Sequence, residues 1–137
     1  MPMQVELVSP ERILYSGEAD MVIARTTEGD IAFLPGHAPF IGSLGVGPVS
    51  IHLAGGGVQN VAVHGGFVEV SGGSVTILSD VAELSDQIDV ARAEAALARV
   101  ASASAEDEEA GLARARAQLR LDIARGVVGS KAGAGSH

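Results

Sequence analysis

A chain of 137 residues, 47% of them apolar, suits one medium domain or a small one with an appendage, and argues against disorder. It has no cysteine, which excludes disulfides, thiolate metal sites and a Cys nucleophile. A net charge of −8, with no basic stripe interleaved with aromatics, excludes nucleic acid as a partner. No 18 apolar residues run together, so no membrane-spanning helix is expected.

The N-terminal stretch MPMQVELVSPER holds two acids and no base before Arg12, and no apolar run of leader length follows it. A cytosolic-side protein without a targeting segment is the expectation. Strands are predicted over 3–8, 19–26, 30–33, 67–71 and 74–79, with turns at Glu28-Gly29, Gly65-Gly66 and Gly72-Gly73. In VSIHLAG the apolar Val49, Ile51 and Leu53 fall on one face and Ser50 and His52 on the other, the period of a half-buried strand. Val61 and Val63 repeat the alternation after a hairpin turn at Gly55 to Gly57. Thirteen of the eighteen glycines precede residue 86, punctuating these runs. No βαβ spacing occurs, so the first 85 residues are predicted to form a sandwich or flattened barrel of short antiparallel strands.

From Ser85 the pattern changes. Ala and Arg dominate, and Val90, Ala93, Leu97 and Val100 recur at helical spacing, with Ser85 as N-cap and Asp86 as a first-turn acid. After a break over 102–105, a second helix is predicted with Ser104 as cap, Glu106 to Glu109 in its first turn, and a stripe of Leu112, Ala115, Leu119 and Ile123. Its charge runs from these acids to Arg114, Arg116, Arg120 and Arg125, which complements the helix dipole at both ends. Gly111 costs it about 1 kcal/mol relative to Ala. The expected organisation is therefore a β domain over 1–85, an antiparallel helical hairpin over 86–125 that docks weakly on it, and a flexible tail over 126–137. A weakly docked hairpin meets the condition for a two-arrangement switch.

LVSPERILYSGEA (Leu7 to Ala19), GDIAFLPGHAPFIGSLGVG (Gly29 to Gly47) and VHGGFVEVSGGSVTILSD (Val63 to Asp80), in this order and ahead of a helical hairpin, resemble the epsilon subunits of F-type ATP synthases from about Val5 to Arg125. Thr26-Thr27 and His64 stand where that family often has other residues. The resemblance implies a non-catalytic rotor part of the central stalk on the cytoplasmic face of a bacterial plasma membrane, touching the gamma subunit and the c-subunit ring. It also implies a hairpin that can extend toward the alpha and beta subunits and inhibit ATP hydrolysis.

Two rivals are a freestanding ATP-sensing module and a small enzyme on a sandwich. The second lacks materials: no G-x-S-x-G, no phosphate-cradling Gly loop, and His37, His52, His64 and His137 without metal-ligand spacing. Pro35-Gly36-His37-Ala38-Pro39 reads as a rigid turn rather than an acid–base loop. The arginines of the second helix read either as a solvated face with i,i+4 partners or as a surface for partner carboxylates.

Asp89 and Arg92 in QIDVARA fit a plain intrahelical ion pair at i and i+3. The resemblance implies more, because Ile88, Asp89, Arg92 and Ala93 match the ATP motif that some family members carry in the folded-down hairpin. Arg92 would pair with phosphate, Asp89 would accept from an adenine amine or ribose hydroxyl, and Arg99 with second-helix arginines would add charge. No cofactor is required on this reading, ATP being a regulatory ligand.

Overall fold

The computed structural model describes residues 2–102 and 107–126. The expected Ser104 cap and, apart from Gly126, the expected tail lie outside the described residues.

Apolar alternation builds seven strands: β1 (Met3–Val8), β2 (Ile13–Thr26), β3 (Gly29–Phe33), β4 (Phe40–Leu53), β5 (Val58–Ser71), β6 (Ser74–Leu78) and β7 (Ala82–Leu84). They pair in the order β1-β6-β5-β4-β2-β3, with β7 beside β5. An additional β1–β2 pairing closes the ring into a two-layered sandwich. The strands are less uniformly short than expected, because β2, β4 and β5 each run 14 residues. Each long strand serves both layers. Residues 3–8 of β1 pair with β2 as far as Ala19, and from Ala19 onward β2 pairs with β4 instead. One pairing departs from the antiparallel expectation: β1 and β6 run parallel, Val5 opposite Val75 and Leu7 opposite Ile77.

Gly65-Gly66 is not a turn. Strand β5 continues through it, opposite Leu44 and Val46 of β4. Gly66 adopts φ +133°, and a Cβ there would lie 2.1 Å from the carbonyl oxygen of Leu78. The missing side chain lets β6 approach where β5 passes from one layer to the other. The core between the layers comes from all of the first six strands, including Val5, Leu7, Val22, Phe33, Ile51, Val61, Val68 and Ile77.

The chain then makes one 3₁₀ turn at Ser85–Gln87 and two helices, α1 (Val90–Val100) and α2 (Glu108–Arg125). The cap of α1 is Asp89, not Ser85, and the cap of α2 is Asp107. Gly126 ends α2 in the left-handed conformation that favours glycine, φ +73°.

The expected stripe of α2 is half right. Leu119 and Ile123 are buried, whereas Leu112 and Ala115 are exposed. Leu119 and Ile123 pack on Ala62 of β5, with Val46 and Ile88 at the margin. Ala110, Ala117 and Leu121 are buried as well, on the opposite side of the helix, and α2 packs on α1. Two opposed buried sides defeat a single-stripe reading.

Candidate functional site

Strand periodicity places the floor of the site. In β5, Val61 and Val63 face the sandwich core, so Asn60, Ala62 and His64 point out on the other face, where α2 lies. Glu83 of β7 pairs directly beside Ala62. It meets Arg120 of α2, whose Nε donates to its Oε1 at 2.6 Å. His64 Nε2 reaches the same oxygen at 3.2 Å. Burial first, and then the Arg120 guanidinium, hold His64 below the ordinary imidazole range; the bond to Glu83 works against them and loses.

Above this floor a cleft of about 340 Å³ opens between β7, the 3₁₀ turn and the two helices. It is lined by Glu83, Gln87, Asp89, Arg92, Ala93, Ala96, Arg99 and Arg120. Three of the four motif residues, Asp89, Arg92 and Ala93, thus share one cavity with Arg99 and Arg120. Ile88 does not line it; it packs against the Ala62–Leu119–Ile123 cluster and anchors the start of the hairpin.

Asp89 has a job that neither sequence reading assigned. Its Oδ1 accepts the backbone N–H of Arg92 at 3.0 Å, closing the first turn of α1. The expected Asp89–Arg92 side-chain ion pair is not among those of the described residues, which are Arg25–Asp30, His64–Glu83, Arg120–Glu83 and Arg125–Glu94. Among the described residues, the partners of Arg114, Arg120 and Arg125 likewise do not lie at i,i+4. Arg114 donates to the carbonyl of Val100 at 2.8 Å, Arg125 pairs with Glu94 at 2.9 Å, and Arg120 pairs with Glu83. Each ties α2 to another part of the fold.

Sequence reasoning missed Glu83 and Gln87, because a three-residue strand and a single 3₁₀ turn are too short to carry a periodic signal. Gln87 accepts the Leu84 N–H through its Oε1 at 3.0 Å and so shapes the turn into the cleft. Elsewhere, the Pro35–Pro39 segment is the turn between β3 and β4, with His37 exposed and edge-on to Phe33 at 5.1 Å. Among the described residues no cluster of three or more potential ligands for a metal ion occurs. No helix of the described residues is long and apolar enough to cross a membrane.

Residues 2–85 match the family model of the ATP synthase delta/epsilon chain β-sandwich domain. Among curated relatives, the ATP synthase epsilon chain of Streptomyces griseus is 47% identical over 119 residues, covering 87% of this chain and 92% of that one. The epsilon chain of Thermobifida fusca is 48% identical over 122 residues, covering 85% and 88%. In shape, a chain of the Euglena gracilis mitochondrial ATP synthase superposes with a TM-score of 0.69 at 23% identity, covering 99% of this chain and 82% of that one, which is a likeness of fold.

The family model over the sandwich, together with relatives that match most of the chain, defines the class: the chain belongs to the ATP synthase delta/epsilon family. Within it the chain is an epsilon subunit, a non-catalytic part of the ATP synthase.

Proposed function

We infer that the chain is a rotor component of the central stalk, on the cytoplasmic face of a bacterial plasma membrane. Its sandwich couples the gamma subunit to the c-subunit ring, and its hairpin restrains ATP hydrolysis by extending toward the alpha and beta subunits. One observation carries the regulatory half: the sandwich core is complete without the hairpin, since no residue of α1 or α2 belongs to it. Docking instead relies on Leu119 and Ile123 over Ala62 and on the partly exposed Arg120–Glu83 ion pair.

Burying two such side chains stabilises by about 1.5–3 kcal/mol each, and a partly exposed ion pair adds at most about 1 kcal/mol. Such a balance suits a part that has two arrangements. Release would also free Arg120, which then suits a carboxylate on a partner. In a reconstituted synthase, removing the chain beyond Ser102 should raise hydrolysis severalfold and leave co-purification with gamma intact. Unchanged hydrolysis would remove the inhibitory role, and loss of gamma would assign assembly to the hairpin instead of the sandwich.

A second reading rests on the cleft. With Arg92, Arg99 and Arg120 around it and Asp89 at its rim, it offers guanidinium groups to phosphate and a carboxylate to amine or hydroxyl. We propose ATP as the regulatory ligand. Arg120 of α2 forms part of the cleft, so ATP that bound the docked arrangement alone would, at 100 times its Kd, favour it by about 2.7 kcal/mol.

A further inference from the structure

His64 is buried under α2, its side chain 3% exposed, with its Nδ1 shielded from solvent and, among the described residues, without a hydrogen-bond partner. Its other nitrogen lies 3.2 Å from Glu83 Oε1, the oxygen that accepts from Arg120, so Nε2 carries the ring proton and donates it. Nδ1 is then a bare lone pair in a dry position. The same Glu83 oxygen receives the Arg120 guanidinium, so a strand imidazole and a helix cation converge on one carboxylate.

We propose that His64, Glu83 and Arg120 form an acid-released latch, in which a proton taken up on Nδ1 of His64 frees α2 from the sheet. This rests on the hairpin having a released arrangement, as inferred above. While α2 is docked, a proton on Nδ1 would create a buried N–H with no acceptor and a second full cation on the oxygen that Arg120 already occupies. Departure of α2 removes both penalties, since it wets the ring and takes away Arg120 and its neighbour Arg116. Glu83 stays behind on β7 and becomes the sole partner of the imidazolium.

The charged and titratable groups facing His64 are therefore Arg116 and Arg120 from α2, Glu83 from β7, and Asp80 from the β6–β7 turn. Val46, across the ladder on β4, is apolar. The sign follows. His64 titrates lower when docked than when released, so the docked state binds fewer protons. Docking is complete above the released-state value and weakens as pH falls below it, by at most about tenfold in the docked-to-released ratio per pH unit.

The chain lacks cysteine, so a Ser71→Cys, Ala115→Cys pair in the full-length protein can carry nitroxide labels on β5 and α2. Electron-spin distances recorded from pH 8 to 5.5 should show a longer-distance population growing as pH falls. Its midpoint should coincide with the His64 ring-proton titration measured by NMR. The His64→Asn background should be flat, and Arg120→Gln should move the ring titration upward. A transition that persists in His64→Asn, a wild-type distance that does not change with pH, or an Arg120→Gln ring titration that stays put would each overturn the latch. Inhibition by the hairpin is read separately, as hydrolysis by the complex with and without α2, so one idea can fail while the other stands.

Discussion

Asp89 shows how a single carboxylate can answer to two roles. As the N-cap of α1 it should cost about 1 kcal/mol of helix stability when replaced by Ala, whether or not a ligand binds. Replacement by Ser keeps a cap oxygen and removes the charge. Calorimetric titration of ATP is therefore expected to show saturable binding for the wild type, loss in Arg92→Ala with thermal stability unchanged, and loss in Asp89→Ser with the cap retained. Binding that survives Arg92→Ala would detach the motif from the nucleotide.

Gly66 allows a sharper test of packing. A Cβ there would sit 2.1 Å from backbone oxygen, at a φ that L residues rarely adopt. Gly66→Ala should lower stability by about 3 kcal/mol or more, or prevent folding, as read by thermal denaturation. At this scale the sequence was legible where residue type alone decides, as at the Gly-rich hairpin turn. It was opaque where a partner distant in the chain decides, as for Arg120, whose acceptor lies 37 residues away.

Among the elements, α2 is the one whose stability can be tuned independently of the sandwich. Gly111 is exposed and a Cβ there meets nothing within 4 Å, so Gly111→Ala should stabilise α2 by about 1 kcal/mol, seen as slower amide exchange in that helix. Leu119→Ala should act the other way. It removes one of the two α2 side chains packed on Ala62 and should cost about 2–4 kcal/mol of docking, with exchange rising in α2 while β5 stays protected. Equal loss of protection in both elements would show that hairpin and sandwich unfold as one unit.

Element boundaries were partly readable. Both helices and most strands follow from periodicity, but Ser85, a serine before an Ala-rich run, has the chemistry of a cap without the position of one. The intervening 3₁₀ turn and the ladder from Val61–Val63 to Ala82–Leu84 displace the start of α1 to Val90. Such short tertiary pairings leave no periodic trace. The buried face of α2 escapes a single-stripe pattern for a related reason: its two buried sides answer to two different neighbours.

For the molecule as a whole, the closed core and the lightly held hairpin divide labour between permanence and change. The sandwich spreads its apolar residues over strands that pair all the way round, so no single edge governs its stability. The hairpin concentrates its attachment near Ala62, His64 and Glu83, where one carboxylate and two aliphatic side chains decide the outcome. Composition announced this contrast through the uneven division of Gly and Arg. The placement of the latch depended on a strand face that only the folded sheet defines.

The two opposed apolar sides of α2 carry one more consequence. A helix with a single greasy stripe can be received by a flat surface, but one with Ala117 and Leu121 on one side and Leu119 and Ile123 on the other cannot be satisfied that way. If the hairpin opens as it leaves, both sides lose their cover together, and the destination has to be a furrow with two walls. A released chain offered no such furrow should bind an apolar dye and self-associate at acid pH, whereas one presented with it should stay monomeric and dark.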